Sequence, residues 1–304
     1  MSAALPLATR FAARFIARFI ARFAALVAAL VAALPWCGCI GPRSAAPAPT
    51  ELRAMSCNVR YGTADDGPDA WPLRCEALAA AIAAAAPDVL GVQEALDFQV
   101  AFLEQKLPHH RRVGQGRDGG TRGEHAALFL DERLLEVVDA GDFWLSETPD
   151  VVGSVGWDAA LTRLCTWAHV RVRATGCEFH VWNTHFDHRG ERARLGSARL
   201  LAQRIAATPG PHLLIGDLNC GETSAPLDAL RAAGLRDSFR ELHPDATAVG
   251  TFHAFRGTTD GAKIDYVLVD RGFATLAAEL LTAPATNGRW PSDHHFVTAT
   301  LRMR

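Results

Sequence analysis

From residue 51 onward the spacing of apolar positions changes period several times along the chain. Runs of four to eight residues rich in β-branched or aromatic side chains fit strands. Apolar residues three and four apart fit one face of a helix. On this reading the chain predicts a strand over 52–59, a helix over 72–86 that Pro87 closes, a strand over 88–94 and a helix over 95–107. A strand-rich middle follows over 125–130, 134–140, 165–172 and 178–185. The segment GERARLGSARLLAQRIAA, 190–207, is the clearest helix, with Leu195, Leu200, Leu201 and Ile205 on one stripe and arginines opposite. Then come a strand over 212–219, a helix over 224–233, a strand over 262–269, and terminal strands around 274–282 and 296–301. Several strands adjoin with no crossover helix between them. The pattern therefore predicts a mixed-sheet α/β layered sandwich rather than a simple parallel array, as one domain over 51–304.

The strands share a second feature: many end in polar side chains. SCNV delivers Asn58, GVQE delivers Gln93 and Glu94, VWNTH delivers Asn183 and His185, and LLIGDLN delivers Asp217 and Asn219. KIDYVLV carries Asp265 within an apolar run, and PSDHH presents Asp293 and His294 just before the last strand. One such residue is an ordinary turn former. A carboxylate inside a buried strand is costly without a partner, and a histidine would serve Asp265. Glu94, Asp293 and the amide oxygens of Asn58 and Asn219 are hard donors, suited to Mg²⁺ or Mn²⁺ rather than zinc. A histidine backed by a carboxylate is the orientation device of a general base. Together they are the parts needed for metal-assisted attack of water on a phosphate ester.

Charge separates the first fifty residues from the rest. They hold five arginines and no acid, with Arg10, Arg14, Arg18 and Arg22 four apart, and an uncharged run from Phe23 to Trp36. A positive region ahead of a short apolar stretch is the pattern of an export signal, with an amphipathic surface helix or a misplaced start codon as the alternatives. Cys37 and Cys39 follow it where a lipoprotein would carry its acylated cysteine, and SAAPAPT reads as a tether. The expectation is an exported protein, periplasmic, secreted or membrane-tethered through its N-terminus, and a cytoplasmic one if the leader is an artefact. Without residues 1–50, 26 of the 31 lysines and arginines remain against all 33 acids, about −7 overall. Only Lys106 and Lys263 are lysines, so a broad basic face for duplex nucleic acid is not expected. The five cysteines of this part form no C-x-x-C pair, so neither a zinc ribbon nor a redox motif is indicated.

The ordered set SCNVR, QE, NTH, GDLN, KIDYV and SDHH resembles the endonuclease/exonuclease/phosphatase superfamily, over nearly all of 51–304. The resemblance implies a four-layered sandwich of two packed mixed β-sheets flanked by helices. It implies Glu94 as the main ligand of Mg²⁺ (or Mn²⁺), Asn58 beside it, and Asp293 completing the site or supporting it. Asp217 would align or deprotonate the attacking water or assist the leaving group, Asn219 would hold a phosphate oxygen, and Asp265 would orient His294. His185 would donate to the phosphate. RLCTW, GQGRDGG, RGEHAALF and GTFHAF look like the deadenylase-like bacterial branch, in which Arg163, His253 and Asn183 would lie at the substrate. Arg122, Glu124, His125 and Arg189 are lesser candidates, and Trp71, Trp144 and Trp157 are candidates for stacking a base. Arg60 stands where some apurinic endonucleases carry a second acid.

The implied activity is divalent-metal-dependent hydrolysis of a phosphate ester, with a nuclease or phosphodiesterase on single strands or nucleotides as the leading expectation. A phosphatase or sphingomyelinase-like hydrolase on a sugar, inositol or lipid phosphate is the alternative. A monomer without an obligate protein partner is expected. Two rivals stand beside this. NTHFDH approximates a dizinc H-x-H-x-D-H signature, with His185, Asp187 and His188 in register but Asn183 in place of the first histidine. The other rival is a non-catalytic binding module on the same fold.

Overall fold

The computed structural model describes residues 50–285 and 288–304, which lie in one compact unit. The expected leader and its tether, Thr50 excepted, lie outside the described residues. Two six-stranded mixed sheets form the centre. In the first the order is β11 (Phe273–Leu281), β12 (Phe296–Met303), β1 (Glu51–Asn58), β2 (Val89–Gln93), β4 (Leu128–Asp131) and β3 (His110–Val113). In the second it is β5 (Leu135–Trp144), β6 (Leu164–Val172), β7 (Glu178–His185), β8 (His212–Asp217), β10 (Asp265–Val269) and β9 (Arg236–Asp237). Among the described strands only β1/β2 and β7/β8 pair parallel.

Alternation along the strands sorts side chains into three apolar layers. Leu52, Ala54, Val181, Leu213, Ile215, Val267, Val297 and Ala299 fill the space between the sheets. Met55, Cys57, Leu90 and Val92 face outward onto α1 (Trp71–Ala85) and α2 (Asp97–Lys106). Trp182, Leu214 and Tyr266 face outward on the other side, with Ala198, Leu201 and Leu230 of α3 (Glu191–Ala207) and α4 (Ala225–Ala232) over them. The result is the four-layered sandwich of two mixed sheets between helices. Helix α1 stops where Ala86 turns left-handed at φ 44° and Pro87 follows. Among the described residues no helix is long and apolar enough to cross a membrane.

Five details differ from the sequence pattern. Strand β3 and the β9–α5 corner (α5, Ser238–Leu242) were not expected, being short and mostly polar. The strand expected over 125–130 pairs only from Leu128, and the strand expected over 262–269 only from Asp265. The buried stripe of α3 is Ala193, Ser197, Ala198, Leu201 and Ile205, and Leu195 is only half-buried. Beside this stripe Trp157 lies directly over Gly196, where a Cβ would come within 2.3 Å of its ring.

Candidate active site

The parallel pairs β1/β2 and β7/β8 end at one edge of the sandwich, and strand register does the rest. Asn58 lies opposite Gln93, His185 opposite Asp217, and Asp217 opposite Asp265. Just past the strand ends the backbone turns sharply: Arg60, Glu94 and Asn219 take φ of 56°, 63° and 48°, a region that L-residues rarely adopt. Strained conformations of this kind persist only where surrounding contacts hold them. Here they aim Glu94 and Asn219 back over the strand ends.

The side chains form a continuous polar array. Asp265 Oδ2 accepts from His294 Nδ1 at 2.9 Å, and His294 Nε2 faces Asp217 Oδ2 at 3.9 Å. The amide nitrogen of Asn58 donates to Asp217 Oδ2 at 3.0 Å and to Glu94 Oε1 at 3.1 Å. The main-chain N–H of Asn219 bonds Asp217 Oδ1 at 2.9 Å, and His185 Nε2 lies 2.9 Å from the Asn219 amide nitrogen and 3.5 Å from Asp217 Oδ2. Burial, with Asp265 close by, pushes the Asp217 carboxyl up to about 7. Burial opposes charge on His294, yet Asp265, with Asp217 and Asp293, holds its imidazolium well above the usual histidine range. His185 goes the other way, because burial and the adjacent Arg163 guanidinium keep it neutral.

Glu94, Asp217 and His294 each offer an atom within 4.8 Å of the other two. Two carboxylates converge on one amide nitrogen of Asn58, so a dipole sits where negative charge is in excess. The residues fit a divalent cation, and turning the Asn58 amide over would bring its oxygen to the same point. Asp293 is buried beside this cluster, with Arg60 Nε at 3.7 Å and Ser292 Oγ at 3.3 Å, and burial pushes its carboxyl up.

Two expected substrate contacts are placed elsewhere. Asn183 is fully buried between the sheets, donating to the carbonyls of Val92 and Ala127 and accepting from Gln93, which makes it a tie between sheets. His253 is likewise buried, stacked on His295 at 4.0 Å, with Nδ1 accepting from Gly257 N–H. Its neighbour Phe252, which sequence reasoning passed over, is the exposed one at 46% and sets its ring edge-on to His294 at 5.2 Å. Adjacent residues of an extended segment point to opposite sides, so only one of the pair could face the site. Arg163 does lie at the site. It is buried, with Nη1 2.8 Å from His185 Nδ1 and Nη2 3.3 Å from His188 Nδ1, between Glu124 and Asp187.

Of the lesser candidates, Glu124 sits in the same cleft, bonded to Arg117 at 2.6 Å. His125 bonds the Ala95 carbonyl, Arg122 bonds that of Asp118, and Arg189 is exposed. Trp71 and Trp144 are core, and Trp157 covers Gly196. The dizinc arrangement is absent here: both His185 and His188 turn Nδ1 to a guanidinium, and Asp187 accepts four main-chain N–H groups.

A family model described as Endonuclease/Exonuclease/phosphatase family matches residues 55–294, spanning every element of this site. The chain belongs to the endonuclease/exonuclease/phosphatase family. It is therefore a hydrolase of phosphate esters, of a kind that generally works with a divalent metal. A family protein from Bacteroides thetaiotaomicron is 34% identical, covering 84% of this chain and 96% of its own, with a TM-score of 0.77. The mannosyl-6-phosphatase of the same organism is also 34% identical over 82% of this chain and 99% of its own, at a TM-score of 0.76. The human Nocturnin catalytic domain shares the fold at 17% identity, 84% and 94% coverage and a TM-score of 0.68. No curated protein matches the chain.

Proposed function

We propose that this family member hydrolyses phosphate monoesters of small polyhydroxylated metabolites, sugar phosphates first, using Mg²⁺ or Mn²⁺. The observation that carries the chemistry is the buried Asp217 carboxyl between the Asp265-backed His294 and the Asn58–Glu94 pair. A carboxyl that titrates near 7 is suited to take a proton from water at neutral pH. The charged His294 faces the same point and steadies negative charge that builds on a phosphoryl or leaving oxygen. Neutral His185 and the Asn219 amide supply hydrogen bonds without net charge. A divalent metal would be held by Glu94 and Asn58 with Asp217 or Asp293, and would supply Lewis-acid withdrawal of charge from the phosphoryl group.

Support for a small monoester over a polynucleotide comes from the cations around the site. Arg60 is bound bidentately by Asp66, Arg117 is bound through one hydrogen bond by Glu124, and Arg163 is buried between Glu124 and Asp187. Cations already matched by carboxylates leave little to track a phosphodiester backbone, whose binding rests on releasing counterions to free positive charge. The 34% identical mannosyl-6-phosphatase points the same way, whereas the 17% likeness to Nocturnin concerns the fold. We propose too that residues 1–50 direct export, which N-terminal sequencing of the mature protein would test.

The deciding experiment compares mannose 6-phosphate and p-nitrophenyl phosphate with bis(p-nitrophenyl) phosphate and single-stranded DNA, each with Mg²⁺, Mn²⁺ or chelator. Monoester hydrolysis that needs metal and disappears in Glu94→Ala is the expected result, and His294→Ala loses turnover by orders of magnitude while staying folded. Preference for the diester or the DNA would restore the nuclease reading. His294→Ala at wild-type turnover would refute the site.

A further inference from the structure

Helix α1 buries Trp71, Arg74, Leu78 and Ile82 on one stripe, so an arginine occupies a position the helix otherwise reserves for apolar side chains. Arg74 is 1% exposed. Burying a guanidinium is expensive unless its hydrogens are matched, and among the described residues no carboxylate hydrogen-bonds it. Its donors go to main-chain carbonyls instead: Nη1 to Val59 at 2.7 Å and to Pro291 at 2.9 Å, Nη2 to Arg60 at 3.0 Å, and Nε to Asp69 at 2.9 Å. The rings of Trp71 and Phe255 flank it at 5.2 and 5.6 Å.

The identity of those carbonyls matters more than their number. Val59 and Arg60 directly follow Asn58, while Pro291 lies just ahead of Ser292, Asp293 and His294. One guanidinium thus ties together two segments, far apart in sequence, that carry Asn58 on one side and Asp293 and His294 on the other. Ser292 Oγ adds a second tie, donating to the Asn58 carbonyl at 2.6 Å. Arg60, held at φ 56°, has its carbonyl bonded by both Arg74 and Gln99 Nε2.

We propose that Arg74 is a positioning residue: by bonding Val59, Arg60 and Pro291 together it sets the distance between Asn58 and the Asp293–His294 segment, and with it the affinity of the divalent-cation site. The inference rests on the reading of that cluster as a cation site. Loss of groups that orient metal ligands without touching the metal typically costs about 10–100-fold in metal affinity or activity.

The test uses the full chain with Arg74→Met, which keeps bulk without donors, and Arg74→Lys, which keeps charge and part of the bonding. Mn²⁺ affinity by calorimetry is the primary readout, followed by kcat and KM on p-nitrophenyl phosphate and by near-ultraviolet circular dichroism. Arg74→Met is expected to weaken Mn²⁺ binding at least ~10-fold and to lower kcat by about the same factor or more, with KM little changed. Arg74→Lys is expected to fall between, and ethylguanidinium to restore part of the Mn²⁺ affinity of Arg74→Ala. Wild-type Mn²⁺ affinity in Arg74→Lys together with either Arg74→Met or Arg74→Ala would overturn the proposal, as would losses that follow only the unfolded fraction. If Arg74→Met does not fold, Arg74→Lys at wild-type affinity overturns it by itself. A wild-type protein that binds Mn²⁺ but hydrolyses no monoester would refute the functional reading and leave this one standing on the affinities.

Discussion

At the scale of single residues the site is organised by environment rather than residue type. Asp217 and Asp265 are both buried aspartates, but Asp265 has an imidazolium at 2.9 Å, whereas Asp217 accepts from the Asn58 amide and the Asn219 main-chain N–H, with neutral His185 at 3.5 Å. The proton that Asp217 retains up to about pH 7 competes with a cation at the same cluster. Below pH 7 the apparent Mn²⁺ affinity should therefore fall with pH, by up to about tenfold per unit for one displaced proton. Calorimetry from pH 5.5 to 8 checks this, and Asp217→Asn should flatten the dependence. Asn183 tests the opposite claim, that a polar residue on a catalytic-looking motif is structural. Asn183→Ala removes three buried hydrogen bonds between the sheets, although Ala127 O keeps the Val92 N–H and Gln93 Nε2 keeps the Gly91 carbonyl, and should cost about 2–4 kcal/mol of stability in urea unfolding while leaving KM unchanged. Asn183 and the Phe252/His253 pair also show where residue-level reading stops. A motif names which residues are polar, whereas their depth along a strand and the side they face depend on pairing: Asn183 shares a face of β7 with His185 but sits deeper, opposite Ile215.

Among the elements, two parallel strand pairs do the placing. Because β1/β2 and β7/β8 run in the same sense as their partners, their C-terminal ends finish level, and Asn58, Glu94, His185 and Asp217 emerge together. The close approach of the sheets behind the site depends on Gly91, where a Cβ would lie 2.7 Å from Ile215 Cγ2 and 2.8 Å from Asn183 Oδ1. Gly91→Ala should destabilise by about 1–3 kcal/mol, read from the unfolding midpoint, with the separation of the sheets strained rather than the chemistry lost. Most strands and the longer helices were legible from periodicity. Strand β3 and the β9–α5 corner were not, because HRRV and RDSFRELH are stabilised by pairing to β4 and β10 and not by any pattern of their own. The α3 stripe differs for a related reason: contact with the sheet chooses the face, and that face takes in Ala193, Ser197 and Ala198 while Leu195 stays half-buried.

For the whole molecule, pH acts through groups of opposite sign. Burial lowers His180 to about 4, helped by His169 and His212, and lowers His253 to about 3, helped by His295. An unfolded histidine binds its proton from about 6.5 downward, so below that the unfolded chain holds more protons and stability falls with pH. Asp217 and His294 are raised, so their contribution is present at low pH and is lost as pH rises through their folded values. The comparison that isolates the first term is His180→Gln against wild type. The melting temperature of the variant relative to wild type should become more favourable as pH drops from 6.5 towards 4, and a constant difference would show that His180 is not titrating in this way.

Taken alone, the sequence determined the fold class, the order of most elements and the family, because alternation, helical spacing and six ordered motifs are local properties of the chain. It also named the acids, amides and histidines from which the site is built. Only the tertiary structure decided which of them meet. Asn183 went between the sheets, His253 behind His294, Phe252 to the rim, and Arg74 from an apparently ordinary helix to the junction of two site segments. The reason is physical. A side chain's face follows from strand register, and its charge state from burial and neighbours, and both are set by contacts between residues as far apart as Arg74 and Pro291 or Asn58 and Asp217.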